Sequence, residues 1–355
     1  MLAVLSEVAA AISDQIEVAL TPDQRRRSEQ LATVDPAAQE TLLKARYHFN
    51  RFTGDGLRLA LELGHEVVST APDWASGHAM VAAAYMALGA FGHMPLDEAV
   101  PRSREAAVRA IALDDRLDEA HAALGWIRLY FDWDWSGAEK EFLRALEINP
   151  NHVNARHGYA DLLTAQGRVD EGLAETLRGR QSDPLSILAN MPAIGHMVFA
   201  RRFEDALAEC DRLSDLDVSL YEAVRFACES ALWQAGRHEE AVSLLREMYA
   251  YNEDAIAAMD AGSSTDGPTG AIRAFAEYRA SLGERARRGA LTTAQLFARV
   301  GEIDRAFEWL DIAFDERRPQ LITMRAQPEY DPLKDDPRYE ALVRRIGLPD
   351  LPAAD

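Results

Sequence analysis

Apolar positions along this chain recur every three or four residues, and the strict alternation of a half-buried strand is missing. Leu2, Leu5, Val8, Ile12, Ile16 and Leu20 open the sequence with such a stripe. It predicts an amphipathic helix and a linker over residues 1–34. Glu7, Asp14 and Glu17 interrupt the stripe and no basic stretch precedes it, so it reads neither as a signal peptide nor as a membrane span. Further on, helix ends recur at a fixed interval. Pro150 and Pro184 stand 34 residues apart in ALEINPNH and RGRQSDPLS, Asp115 holds the same place 35 residues before Pro150, and Val218 falls 34 after Pro184. A repeat of this length is the mark of stacked helix pairs.

Between these marks small and large residues return in register. His121, Leu124, Gly125, Ala138, Phe142, Ala145 and Pro150 fit the tetratricopeptide pattern with one extra residue in the turn, and Tyr159, Ala160, Gly167, Gly172 and Pro184 follow in the next unit. Antiparallel helices that approach closely need Gly or Ala at the crossing, with Phe, Leu and Tyr filling the gaps beside it. The spacing predicts an all-α, right-handed superhelical solenoid of about seven helix-turn-helix repeats. Six of them form an array over 35–252. Residues 253–270, EDAIAAMDAGSSTDGPTG, break the pattern with Gly, Ser, Thr and Pro and read as a loop or hinge. Over 271–355 a helix, a last repeat around Ala294, Phe297, Gly301, Ala306 and Leu310, and a capping helix at YEALVRRIGL complete the chain.

The chain resembles the tetratricopeptide region at the carboxy-terminal end of many bacterial multidomain regulators. There it follows a winged-helix DNA-binding domain, a protein kinase or an adenylate cyclase, often through a TolB-like segment. The stretches FDWDWSGAEKEFLRALEINPNHVNARHGYADLL, LFARVGEIDRAFEWLDIAFDERRP and DPLKDDPRYEALVRRIGLP carry the resemblance, together with ARYHFNRFTGDGLRLALELGHEVVSTAPDWASGHAMVAAAY. It implies a regulatory, protein-binding role. None of the effector segments is recognisable here, so their activities are carried over to no residue.

Charge narrows the partners. The formal net charge is −20 and the pI about 4.9, a field that repels phosphate backbones and anionic lipid. Neither nucleic acid nor membrane is expected as a partner. The Gly-rich cradles that hold nucleotides are absent, and the nine histidines show no metal-ligand spacing. No cofactor, metal or catalytic set is expected. The two cysteines, Cys210 and Cys228, read as small buried hydrophobes in a reducing, cytoplasmic setting, with oxidative pairing the minor alternative. The rings of YFDWDWSG read as wedges between repeats before they read as a binding platform.

The candidate site comes from repeat register. On the first helix of each unit, the positions facing a concave wall hold Trp126, Tyr130, His157, Asp161, Met191, Phe199, Arg225, Glu229 and Trp233. Aromatic anchors with a few charges suit an extended or helical peptide. The acidic members favour basic residues on that peptide. The sequence therefore predicts a non-catalytic scaffold binding a peptide or protein segment in its groove, with a sensor region governing a separate effector domain as the alternative. It leaves the oligomeric state unknown.

Overall fold

The computed structural model describes residues 33–184, 187–215 and 222–351. The helix expected over Leu2 to Leu20, and the restart at Val218, lie outside the described residues. The chain divides into two compact units, Met1–Leu124 and Gly125–Asp355. Every regular element among the described residues is helical.

The first unit holds α1 (Pro36–Asn50), α2 (Gly54–Thr70), α3 (Ala75–Ala90) and α4 (Leu96–Leu113), each packed on the next. Asp35 caps α1 by accepting from the Ala37 N–H at 2.7 Å, and Thr53 caps α2 through the Gly56 N–H at 3.1 Å. The α3 sequence, ASGHAMVAAAYMALGA, is apolar all round, and such a helix must be enclosed on every side. It is buried from Ala79 to Leu88 apart from one partly exposed position, and Ser103 of α4 donates to the Ala82 carbonyl at 2.7 Å.

α5 (Asp118–Ile127) starts in the first unit. It continues into the second as a π-helical turn, Arg128–Asp132, closed by Trp133 in the left-handed region at φ 56°. The second unit then repeats helix pairs: α6 (Trp135–Ile148), α7 (Val153–Ala165), α8 (Val169–Ser182), α9 (Ile187–Phe199), α10 (Phe203–Asp215), α11 (Glu222–Gln234) and α12 (His238–Met248). Successive helices pack on one another, and the first helices also touch, α7 against α9 and α9 against α11. The turn inside each pair needs a left-handed residue. Gly167, Gly236 and Gly301 fill that place at φ 76–80°, and Arg201 fills it at 60°.

Two expectations are corrected here. Residues 253–270 are helical, not a loop: α13 (Glu253–Ala280) is two helices joined at a sharp break, Asp266 at φ −146° and Gly267 at φ 54°. In a straight helix Asn252 and Tyr278 would lie roughly 39 Å apart, yet the Asn252 amide donates to the Tyr278 hydroxyl at 2.8 Å. The segment is therefore a hairpin, and it counts as a further pair in the stack. The second correction concerns the cysteines. Cys210 of α10 and Cys228 of α11 form a disulfide, with Cα atoms 6.0 Å apart, because consecutive helices bring those positions face to face. That bond removes the ground on which a reducing compartment was expected.

After the short α14 (Glu284–Arg288), α15 (Ala290–Arg299) and α16 (Ile303–Asp315) make the last pair. The chain then leaves helix pairing for two 3-10 turns, Pro319–Thr323 and Pro328–Leu333, before α17 (Pro337–Ile346). Leu321, Ile322, Met324, Tyr330 and Leu333 in this segment are fully buried.

Candidate functional site

The first-helix wall of the second unit gathers most of the expected residues, but it is covered. Trp126 is 3 % exposed, Tyr130 and Trp233 9 %, Asp161 6 % and Glu229 2 %. The expectation of rings open to a partner is corrected. The irregular segment after α16 runs along the same wall: its first 3-10 turn packs on α7 and on the π-helical turn, its second on α15. Arg317 donates to the Phe131 carbonyl at 3.0 Å and lies over the Trp133 ring. Arg201, after α9, donates to the Ala326 carbonyl at 2.7 Å and to Asp331 at 2.8 Å. Gln295 of α15 donates to Gln327 at 2.7 Å. The Trp135 indole N–H donates to the Gly347 carbonyl at 2.7 Å, so the rings of YFDWDWSG hold the C-terminal segment.

Two polar clusters sit in this wall. In one, the Tyr130 hydroxyl donates to Asp161 at 2.6 Å, with His157 Nε2 at 3.6 Å and His196 Nε2 at 3.4 Å from the same carboxylate. Trp126 packs 4.9 Å from the His157 ring, and Phe199 lies 5.5 Å from that of His196. Burial pushes the His157 imidazole down to about 4, with Asp161 opposing and His196 adding to the effect. Burial and then Asp161 hold the Tyr130 hydroxyl well above its ordinary range. At neutral pH this is a neutral imidazole and a tyrosine bound to a carboxylate. It is a packed polar nest.

In the other cluster Arg299 of α15 donates to Glu229 at 2.7 Å and to Glu329 of the C-terminal segment at 3.1 Å, all three nearly inaccessible. Ser230 donates to Glu329 as well. Burial raises the Glu229 carboxyl although Arg299 pulls it down, and Arg299 stays charged because the two glutamates outweigh its burial. Of the remaining expected residues, Met191 packs partly buried on the apolar cluster around Ile194, and Arg225 pairs with Glu247 of α12 at 3.2 Å. Neither joins the clusters. Sequence reasoning missed Arg299, Glu329, Arg201 and His196. The one available signal was a charged residue, Arg299, closing the apolar LFA stretch of α15.

An open concavity lies in the first unit. A cleft of about 730 Å³ is lined by Leu42, Leu43 and Arg46 of α1, by the α2–α3 turn from Thr70 to Ser76, and by Leu113, Asp114, Leu117 and Glu119. Arg46 donates to Glu119 Oε1 at 3.0 Å, while Glu119 Oε2 is enclosed without a hydrogen-bond partner. Burial, then the neighbouring Asp118, raise the Glu119 carboxyl to about 7 against the pull of Arg46. Counting positions on first helices does not find this cleft, because the turns between pairs build it. Among the described residues no group of three or more His, Cys, Asp or Glu side chains is arranged to hold a metal ion, and no helix is long and apolar enough to cross a membrane.

No protein-family model matches the chain. Among curated proteins, the transcriptional regulator HilA of Salmonella typhimurium is 23 % identical over 211 residues, which is 58 % of this chain and 37 % of HilA. The chain thus spans just over a third of that regulator's length. Among solved structures, the human IFIT1 dimer with m7Gppp-AAAA aligns with a TM-score of 0.52 at 14 % identity, over 83 % of this chain and 69 % of the IFIT1 chain. YrrB, described as a TPR protein with an unusual peptide-binding site, aligns at a TM-score of 0.32 and 17 % identity over 58 % of this chain and 96 % of its own. At these identities structural likeness speaks to fold alone. With the 34-residue register and the stacked helix pairs, it makes this chain an all-α tetratricopeptide-repeat solenoid.

Proposed function

We propose that this chain is a non-catalytic scaffold that binds a segment of a partner protein. The carrying observation is the occupied wall of the second unit. Side chains from α11 and α15, and from the turn after α9, together hold an irregular peptide stretch by charge-assisted hydrogen bonds. Helix pairs that present such groups at fixed spacing bind a segment with little ordering cost on their own side. Because the chain's own C-terminal segment fills that wall, the partner docks on surfaces left open, the first-unit cleft among them. The net charge of −20 favours a basic protein segment over nucleic acid or anionic lipid.

The test is a photo-crosslinking residue placed at Tyr47, 64 % exposed beside the cleft, and in parallel at the exposed Leu143 of the second unit, in the source organism. A discrete protein adduct is expected at Tyr47 and not at Leu143. No adduct at either position overturns the reading.

A second reading, a regulatory region that controls an effector domain, is supported by the similarity to a transcriptional regulator. It is tested on the gene: an effector segment encoded in frame ahead of Met1 supports it, and a stop codon there removes it.

A further inference from the structure

We infer that the Cys210–Cys228 disulfide is a redox-sensitive clip on the occupied wall: closed, it keeps two grips on residues 326–331 in register, and opened by a dithiol it lets that stretch leave the wall. The inference adds a control to the scaffold reading and does not depend on there being a partner.

The bond joins the two elements that hold one short stretch of chain. Arg201, in the turn that leads into α10, donates to the Ala326 carbonyl at 2.7 Å and to Asp331 at 2.8 Å. Glu329 lies between these residues in sequence. It accepts from Ser230 of α11 and from Arg299, which in turn donates to Glu229 of α11 at 2.7 Å. Cys210 stands on α10 itself, and Cys228 immediately precedes Glu229 and Ser230 on α11. A cross-link between these helices therefore fixes the spacing of both grips, and hydrogen bonds to charged groups weaken steeply once that spacing is lost.

The stack does not need the bond. The chain has no other cysteine, so every other helix pair holds without a covalent link. Cys210 and Cys228 are 18 residues apart on consecutive helices, and Leu207 and Leu213 of α10 already share one apolar cluster with Val224 and Ala231 of α11. Two free thiols would remain there as small apolar groups.

The bond is also within reach. Cys228 is 8 % exposed, but Cys210 is partly open to solvent. A thiolate of the dithiol attacks the Cys210 sulfur, the S–S bond breaks, and the Cys228 sulfur leaves as a thiolate that takes up the proton the reagent released. The second thiol of the reagent then displaces Cys210. The two cysteines thus gain two electrons and two protons, and the dithiol is oxidised to its own disulfide.

The test is hydrogen exchange, followed by mass spectrometry, on the full chain in its oxidised form and after equilibration with dithiothreitol, beside Cys210→Ala/Cys228→Ala. The Ala326, Gln327 and Tyr330 N–H groups donate to carbonyls of their own segment and so report its opening. Breaking the disulfide is expected to speed their exchange at least about tenfold, while α1 to α4 of the first unit keep their rates and circular dichroism shows the helices intact. The double variant should exchange at the reduced rate with or without dithiothreitol. Oxidised glutathione should restore the slow rate in the unmodified chain alone. Should the double variant not fold, the two forms of the unmodified chain decide by themselves.

Equal exchange in the oxidised and reduced chains overturns the inference. So does a rise spread evenly over the second unit, or a loss of helicity on reduction, because the bond is then a staple of the fold. Two free thiols persisting after treatment with oxidised glutathione overturn it as well, since no clip closes. None of these outcomes bears on the crosslinking at Tyr47, so the scaffold reading stands or falls separately.

Discussion

Phe142 shows how a single side chain sets the stack of the second unit. Its ring is fully buried between Gly125 of α5 and Gly158 of α7, and a Cβ built on either glycine would stand 2.7 and 2.3 Å from it. Neither side can yield while the other holds. Gly125→Leu is therefore expected to cost roughly 1 to 3 kcal/mol or more by overpacking, and an unchanged thermal midpoint would sink this account of the crossing. The Gly125–Phe142 relation was legible in sequence because it is local and recurs with the repeat. The burial of Trp126 was not, since the segment running along that wall lies almost 200 residues further on. His157 carries a second residue-scale prediction. Its imidazole stays neutral in the fold down to about 4, against an ordinary value of 6.5, so below pH 6.5 the unfolded chain binds the proton first and stability drops as pH falls toward 4. The loss is at most about 3 kcal/mol. Glu119 works the other way between pH 4.5 and 7, because its raised carboxyl gives stability that is lost as pH rises. The readout is thus the difference in pH slope between the unmodified chain and His157→Phe: between pH 4.5 and 6.5 stability should rise less with pH, or fall more, in His157→Phe. Identical slopes would remove the desolvated imidazole from the account.

At the scale of elements, the hairpin at 253–280 is where composition misled. Gly, Ser and Thr density reads as a loop, yet Ala255, Met259 and Gly262 form a buried helical stripe, and Gly270 lets the return helix close on it. A Cβ at Gly262 would stand 2.1 Å from the Gly270 carbonyl oxygen. Those glycines mark contact between two backbones, which one-dimensional composition does not separate from flexibility. The sign of one substitution tests this. In an open loop or a lone exposed helix Gly262→Ala would be neutral or stabilising by up to about 1 kcal/mol, whereas in the hairpin it must push the two helices apart and should destabilise by about 1 to 3 kcal/mol. A raised unfolding midpoint would return the segment to a loop or a straight helix. The cysteines belong to the same scale. The repeat register places Cys210 and Cys228 on consecutive helices as neighbours in the core, but whether their sulfurs bond depends on side-chain geometry that periodicity leaves open, as it leaves open that the turns of the first unit enclose a cleft.

At the scale of the whole molecule, repeat arrays are built from neighbour contacts, and the second unit adds something the repeat does not contain: a C-terminal segment tied back to helices far upstream. The tie is Arg299, inside the unit, bridging Glu229 of α11 and Glu329 of that segment. Buried ion pairs stabilise little by themselves, but removing one partner strands the others, at a cost of about 3 to 5 kcal/mol. Arg299→Met should therefore lower the unfolding midpoint sharply and loosen the segment. Trypsin should then cut after Arg325, which in the intact protein sits next to the buried Ala326 and donates to the Pro349 carbonyl. The same replacement in a chain already carrying Glu229→Gln and Glu329→Gln leaves no carboxylate stranded and should cost much less. Unfolding curves and timed digests of the four chains separate the cases. An equal cost of Arg299→Met in both backgrounds, without a new cleavage after Arg325, would mean that apolar packing of Leu321, Tyr330 and Leu333 alone holds the segment in the wall.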